Sequence, residues 1–279
     1  MKTILAIAFV WGMAIQTNAQ EMNKVPTVKL NNGMEMPQLG VGTFLVKDNA
    51  AERVCHAIKV GFRLIDTAQG YGNEKEVGEG ICRSGIDRRE LFITTKVNTM
   101  EMRGGTVRQS LDKSLADLGT DYIDLVLIHW PVKGHIKETW QILEEYVDKG
   151  KILSIGVSNF NPHHLDELLE YARIRPVVNQ IEVEPYMTQH DVVGYTFRKG
   201  IQVEAWDRWD KALPACSMTL QSVRLPPGTV NPQHRSSYVG ICNADWLPFL
   251  AAITTRTRTR ISESSISIFR LPKWRLLPV

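Results

Sequence analysis

FRLI at residues 62–65, LFITT at residues 91–95 and LVLI at residues 125–128 are three short apolar runs typical of buried β-strands. Polar side chains follow them: Asp66 and Tyr71 after the first run, Lys96 after the second and His129 after the third. Side chains at the carboxyl ends of neighbouring parallel strands converge on one mouth of a barrel. We therefore expect a carboxylate, a phenol, an amine and an imidazole to meet there as a proton-transfer site.

Before and after these three runs in the sequence, further short apolar strands alternate with amphipathic helices. The pattern predicts seven strands, at residues 39–42, 64–66, 91–96, 122–129, 152–158, 177–182 and 201–206. It predicts six helices between them, at residues 50–60, 74–83, 106–118, 137–149, 162–171 and 189–199. Such alternation predicts a parallel sheet, and no GxGxxG follows the first strand to favour a doubly wound dinucleotide fold. The predicted fold is an α/β (β/α)8 TIM barrel.

A short hairpin is predicted ahead of the first barrel strand. Thr27–Leu30 and Met34–Met36 flank Asn31-Asn32-Gly33, whose Asn-Gly pair suits the positive backbone angles of a tight turn. We expect this hairpin to plug one end of the barrel.

The barrel is expected to be incomplete at its C-terminal end. The helix and strand pattern stops after Trp206, and residues 207–279 hold four acidic residues against eight arginines and two lysines. No apolar stripe can be drawn through these residues, so we predict an irregular tail that supplies no eighth strand. We interpret the abrupt change as a frameshift near codon 207.

The N-terminal residues read as a separate segment. Lys2 precedes an apolar run from Ile4 to Ile15, and small residues follow at Thr17-Asn18-Ala19, a pattern typical of a signal peptide. We predict a signal peptide at residues 1–19, a barrel domain at residues 26–206, and a periplasmic or secreted protein. Cytoplasmic location remains the alternative, because Met22 could also begin the protein.

Composition excludes several classes of function. A formal net charge of +3, from 33 basic and 30 acidic residues in 279, gives no electrostatic reason to expect a nucleic-acid partner. The first apolar run is too short for a membrane span.

The four cysteines lack metal-ligand spacing, so we predict no metal site, and we expect Cys55 and Cys82 to be buried thiols. We expect a monomer.

Two longer stretches carry a resemblance to a known family. Residues 61–74, GFRLIDTAQGYGNE, followed by Val77-Gly78, resemble the first signature of the aldo-keto reductases. Residues 150–160, GKILSIGVSNF, are similar to the central signature of that family, and residues 36–44 resemble its opening strand. The resemblance covers residues 26–206.

The resemblance implies an oxidoreductase that uses NADPH (NADP) to reduce aldehyde and ketone carbonyls to alcohols. It implies that Tyr71 donates the proton, and we expect Lys96 to lower the pKa of that phenol while Asp66 holds Lys96 charged. It places the cofactor against Thr43, Asp66, Ser158, Asn159, Gln180 and Trp206. It places the carbonyl substrate against Phe44, His129 and Trp130, with His129 orienting the carbonyl.

Each of these residues also has a structural interpretation. Asp66 could be a turn former, Lys96 a solvated strand-end charge, and His129 a structural imidazole. Gln180 and Trp206 could simply fill the barrel interior. The alternative to an active reductase is an inactive, truncated or frameshifted remnant, or a module that binds nicotinamide without catalysis.

Overall fold

The structure, a computed structural model, describes residues 25–46, 48–183, 187–206 and 239–243, the last range by its backbone alone. The predicted signal peptide at residues 1–19 lies outside the described residues, as does most of the predicted tail. An antiparallel hairpin comes first, formed by β1 (Thr27–Lys29) and β2 (Glu35–Pro37). Gly33, with a φ of 91°, takes the left-handed conformation in its turn, as the Asn-Gly pair predicts.

The hairpin closes the end of the barrel at which the strands begin. Leu30 and Met36 are buried in one apolar cluster with Leu64, Phe92 and Leu125, which are at or near the first residues of three barrel strands. The predicted plug is therefore present, and it lies opposite the strand ends that carry the candidate site.

Seven parallel strands follow the hairpin, as predicted. They are β3 (Leu39–Gly42), β4 (Leu64–Asp66), β5 (Phe92–Val97), β6 (Leu125–Ile128), β7 (Ile155–Ser158), β8 (Val178–Glu182) and β9 (Gln202–Trp206). Each strand pairs in parallel with the next in the order β3 to β9. All six residues of β5 are buried, which is typical of a parallel strand covered on both faces.

Helices connect these strands on the outside of the sheet. They are α1 (Ala50–Lys59), α2 (Glu74–Ser84), α3 (Thr99–Gly104), α4 (Val107–Leu118), α5 (Ile136–Asp148), α6 (Pro162–Tyr171) and α7 (His190–Arg198). Six of them match predicted helices to within one residue at either end, and α3 was not predicted. Among the described helices, none has both the length and the apolar character to cross a bilayer.

An eighth strand corrects the prediction of an incomplete barrel. β10 (Val239–Asn243) pairs in parallel with both β9 and β3, so the sheet closes into a barrel. Without β10 both neighbours would be edge strands with unpaired backbone groups, which is a strong incentive for pairing. The five residues were missed because no periodic helix precedes them in the sequence. The rest of residues 207–279 lies outside the described part of the chain.

The two described cysteines in helices are free thiols. Cys55 is buried, as predicted, whereas Cys82 is exposed and the prediction for it was wrong. Cys82 lies on α2 just after Ile81, which takes the inward position at this point of the helix.

Gly78 allows α2 to approach α4 closely. A Cβ atom at Gly78 would lie 2.4 Å from the carbonyl oxygen of Asp117, so Gly78→Ala must push the two helices apart. We expect this substitution to lower the free energy of unfolding by about 1–3 kcal/mol, measured by urea denaturation. The matched control is Gly104→Ala, where the nearest atom is 3.6 Å away. A control loss as large as that of Gly78→Ala would contradict this account.

Candidate active site

Lys96 connects three of the residues predicted to meet at the mouth. Asp66 ends β4 and Lys96 is the fifth residue of the neighbouring strand β5, so their side chains reach the same region. Lys96 Nζ donates hydrogen bonds to Asp66 Oδ1 at 2.6 Å, to the carbonyl oxygen of Thr67 at 3.0 Å and to Tyr71 Oη at 3.3 Å. The three donor positions of the ammonium group are thus used within the site.

The ion pair between Lys96 and Asp66 is buried. The side chains are 1% and 5% exposed, which is rare for charged groups unless they are paired. Burial alone lowers the pKa of Lys96, but Asp66 and Tyr71 oppose it, and the pKa is raised overall. Lys96 therefore stays positively charged at neutral pH beside the phenol of Tyr71.

Tyr71 differs from the prediction in its acidity. Burial raises the pKa of Tyr71 above its usual 10.0, and this effect outweighs the lowering by Lys96. The charges of Asp66 and Glu204 also raise the pKa. Lys96 lowers the pKa of Tyr71 as expected, but the net pKa is raised, so the expectation of a phenol more acidic than a free one was wrong. Tyr71 holds its proton at neutral pH, and Lys96 is placed to stabilise the phenolate only as the proton leaves.

A short turn holds Tyr71 at this position. Tyr71 ends a 3-10 turn, Gln69–Tyr71, and Gly72 after it has a φ of 70°. Gln69 fixes the turn from the side, because its Nε2 donates to Ser114 Oγ and its Oε1 accepts from the backbone N–H of Asn98. The hydrogen bonds of Gln69 thus fix the turn from which the side chain of Tyr71 extends.

Aromatic rings surround the phenol of Tyr71. The ring centroid of Phe44 lies 5.1 Å from that of Tyr71, and the ring of His129 lies edge-on at 5.8 Å. His129 directly follows β6, as predicted. Trp130 is 48% exposed and Phe44 36%, so the three rings predicted to contact substrate lie at the rim of the mouth. An apolar rim of this kind suits the organic part of a carbonyl compound.

The imidazole of His129 is neutral in the folded chain. Burial, together with the nearby charge of Lys96, lowers the pKa of His129 to about 3. A neutral imidazole keeps one N–H, which can donate a hydrogen bond to a carbonyl oxygen without releasing a proton.

We expect His129 not to titrate between pH 8 and pH 5. Its pKa is lower in the folded than in the unfolded chain, so below pH 6.5 only the unfolded chain takes up this proton, and acidification toward pH 3 weakens the fold. Proton NMR of the imidazoles measures this directly, with His129→Gln assigning the resonance. A midpoint near pH 6.5 for that resonance would contradict the prediction.

Thr43 is buried beside the site, but its hydroxyl lies 3.5 Å from Asn73 Oδ1. Asn73 also donates through Nδ2 to the carbonyl oxygens of Thr43 and Val46, and accepts from Thr67 Oγ1. Asn73 thereby fixes the loop after β3 to the loop after β4. Thr43 is thus brought to the site through its backbone, while its side chain faces Asn73.

Amide and hydroxyl groups lie together at the ends of the next strands. Ser158 ends β7 and pairs in register with Gln180 of β8. Asn159 has a φ of 61°, and its Nδ2 donates to Ser158 Oγ and to the carbonyl oxygen of His129. Gln180 Nε2 donates to Asp66 Oδ2 at 2.9 Å. This donor set is chemically suited to a primary carboxamide, which both donates and accepts hydrogen bonds.

Trp206 is the last residue of β9, on the strand next to Gln180. A half-buried indole at a strand end offers a flat face on which a heteroaromatic ring can stack. The residues present at the ends of β7, β8 and β9 therefore fit the nicotinamide half of a dinucleotide.

Sequence reasoning missed one acid, Glu204. It lies on β9, two residues before Trp206, and is completely buried. Strand alternation could have found it, because residues two apart on a strand share a face and Trp206 was already assigned to the site. Among the described residues, no three His, Cys, Asp or Glu side chains group as a metal site.

Comparison with known proteins gives consistent matches over the barrel. Residues 30–209 match the model of the Aldo/keto reductase family. The chain is 52% identical over 182 residues to glyoxal reductase of Bacillus subtilis, and 42% identical over 186 residues to morphine 6-dehydrogenase of Pseudomonas putida. These alignments cover 64% and 66% of this chain. They span 66% and 63% of the relatives, about two thirds of their length.

Solved structures give the same result. An aldo/keto reductase from Brucella melitensis matches with a TM-score of 0.63 and 43% identity, over 66% of this chain and 73% of that one. A Bombyx mori aldo-keto reductase in complex with NADP matches with a TM-score of 0.65 and 32% identity, over 80% of this chain and 86% of that one.

Proposed function

The chain belongs to the aldo/keto reductase family, and from that membership we propose that it reduces aldehyde or ketone carbonyls to alcohols with NADPH. The observation that supports this most directly is the hydrogen bonding of one buried ammonium group, Lys96, to both Asp66 and Tyr71. A protonated phenol beside a fixed cation is the arrangement that a proton donor to a carbonyl oxygen requires.

In the proposed reaction, bound NADPH supplies a hydride to the carbonyl carbon. Tyr71 donates its proton to the carbonyl oxygen, and Lys96 stabilises the phenolate that this leaves. His129 donates a hydrogen bond that orients the carbonyl and supports the negative charge developing on its oxygen. Asp66 keeps Lys96 charged and in position. Phe44, Trp130 and the ring of Tyr71 exclude water from the reacting atoms.

We assign the nicotinamide half of the cofactor to Ser158, Asn159, Gln180 and Trp206. The hydroxyl and amide groups match the carboxamide, and the indole matches the ring. Asp66 serves both the proton-donor group and the cofactor site, because it accepts hydrogen bonds from Lys96 and from Gln180. Thr43 contributes by holding the loop after β3.

The test is a titration of the full chain with NADPH, followed by NADPH oxidation in the presence of an aldehyde. Glyoxal is a reasonable first substrate, because one similar protein is named a glyoxal reductase. We expect Trp fluorescence to be quenched on binding, and absorbance of NADPH to fall only when aldehyde is added. If NADPH binds but is not oxidised with any aldehyde or ketone of a panel, the chain is better explained as a nicotinamide-binding module. If NADPH does not bind, the proposal is overturned.

We also propose that residues 207–279 arise from a frameshift near codon 207. The family match ends at residue 209, close to the point at which the composition changes. The strand β10 lies within this segment and closes the barrel. The original reading frame must therefore encode an eighth strand in its place. Resequencing the gene and translating the other two frames is the test. If neither frame encodes an eighth strand and a closing helix, the frameshift is excluded.

Export is a separate proposal. The apolar run from Ile4 to Ile15 after Lys2 supports a signal peptide at residues 1–19 and a periplasmic or secreted location. N-terminal sequencing of the mature protein would decide between cleavage near residue 19 and a cytoplasmic protein that keeps its first residues. We expect the folded protein to be a monomer, which its mass in solution would show.

A further inference from the structure

Glu204 is a buried acid that the proposed reaction does not use. Its neighbour Val203 packs with Val193 and Phe197 in the apolar cluster between β9 and α7, so Val203 faces the outer layer. Successive residues of a strand face opposite sides, and Glu204 therefore points into the barrel. Its side chain is 0% exposed, and neither carboxyl oxygen has a hydrogen-bond partner of acceptable geometry among the described residues.

The surroundings of Glu204 connect it to the candidate site. On β8 its register partner is Gln180, whose amide donates to Asp66, which in turn accepts from Lys96. A carboxylate left unpaired in the interior is costly, so such a group either finds a partner or keeps its proton. Gln180 Nε2 donates one of its two N–H groups to Asp66 Oδ2 and makes no hydrogen bond of acceptable geometry to Glu204.

The charges around Glu204 decide its state. Burial raises the pKa of Glu204 to about 8, and the charge of Asp66 acts in the same direction, while Gln180 and Lys96 oppose it. Glu182, two residues after Gln180, faces the same side of β8. Next to β9, the sequence of β10 contains one titratable residue, Cys242, and no carboxyl, amine or imidazole. The charged residues of α7, His190, Asp191 and Arg198, belong to the helix on the other face of β9.

We propose that Glu204 is a positioning residue that acts on Tyr71 through charge: its buried, unpaired carboxyl group holds a proton in the resting chain, and the anion formed when that proton leaves keeps the proton on Tyr71. The proton of Glu204 leaves to solvent, and no other bond changes. The direction of the effect follows from electrostatics, since a negative charge nearby opposes formation of the phenolate. The charge of Glu204 raises the pKa of both Tyr71 and Lys96.

The consequence for catalysis depends on the proposed function. Carbonyl reduction requires Tyr71 in its protonated form, so the rate falls as pH rises through the pKa of Tyr71. By becoming negative first, Glu204 would extend the alkaline range over which Tyr71 remains a proton donor.

The first test needs no turnover. Infrared spectroscopy of the full chain at pH 7 should show the carbonyl stretch of a protonated carboxylic acid that is lost in Glu204→Gln. Glu144→Gln is the matched control, because Glu144 is a buried glutamate that accepts from the backbone N–H of Ile174, away from the mouth. The same spectrum for wild type and Glu204→Gln would overturn the proposal.

The second test follows the phenolate of Tyr71 by its ultraviolet absorbance. The signal of Tyr71 is the difference between each protein and the same protein carrying Tyr71→Phe. We expect the Tyr71 midpoint in Glu204→Gln to move to lower pH than in wild type. Glu204→Met, which fills the interior without titrating, should give the same shift if the amide variant folds poorly.

The two tests separate this proposal from the proposed function. The chain could show the infrared band of protonated Glu204 and the lower Tyr71 midpoint in Glu204→Gln, yet reduce no carbonyl compound. That result supports the role of Glu204 and counts against the proposed reductase activity. An active chain in which both Glu204 variants leave the Tyr71 midpoint and the alkaline limit of kcat unchanged overturns the role of Glu204 and leaves the reductase standing.

Discussion

Phenylalanine in place of Tyr71 is expected to lower the rate of NADPH-dependent carbonyl reduction by about 10²–10⁴-fold, the contribution typical of a positioned proton donor. The substitution removes only the hydroxyl, because the ring remains between Phe44 and His129. Lys96 keeps its hydrogen bonds to Asp66 and Thr67. The measurement is kcat with a saturating aldehyde, together with the Kd of NADPH, which should stay within a few-fold of wild type.

Tyr146→Phe is the matched control for this variant. Tyr146 is also a buried ring whose hydroxyl contacts a charged group, since it lies 2.7 Å from Asp112 Oδ1 on the outer layer. We expect that variant to keep its activity. If Tyr71→Phe retained more than a tenth of the wild-type rate while Tyr146→Phe behaved normally, Tyr71 would not be the proton donor.

Much of the site could be predicted because its residues follow strands. The ends of β4, β5 and β6 were recognisable as apolar runs, and parallel pairing alone brings Asp66, Lys96 and His129 to one mouth. The hydrogen bonds of Lys96 to Asp66 and Tyr71 match that prediction. Ser158, Gln180 and Trp206 came from the family resemblance instead of this rule, and they lie on the adjacent strands β7, β8 and β9.

The remaining features depend on burial and on closure, which a local pattern does not reveal. The pKa of Tyr71 is set by the balance between desolvation and the charge of Lys96, and only coordinates show that desolvation wins. β10 forms because two distant strands leave edges that need pairing. Glu204 reads as an ordinary polar residue in sequence, and its complete burial without a hydrogen-bond partner among the described residues becomes visible only in the folded barrel.

Replacing Asp66 with asparagine is expected to destabilise the fold by about 3–5 kcal/mol, the cost of leaving a buried charge without its partner. Lys96 is 1% exposed and donates to Asp66 at 2.6 Å, so the ammonium group would lose its counter-charge and could not reach water. The hydrogen bond from Gln180 to Asp66 would also be weakened, because a neutral oxygen is a poorer acceptor than a carboxylate. Urea denaturation of the full chain measures the loss.

Two comparisons show whether the loss comes from the buried charge. In the double variant Asp66→Asn/Lys96→Met both charges are gone, so it should be less destabilised than the sum of the single variants, by about 1–3 kcal/mol of coupling. The exposed pair Arg108 and Glu145 is the reference, and Glu145→Gln should cost less than about 1 kcal/mol. Additive losses in the double variant would mean that Lys96 and Asp66 do not depend on each other. Lys96 would then keep its place through Thr67 and the strand alone, and the paired charges beneath Tyr71 would lose their role in the mechanism.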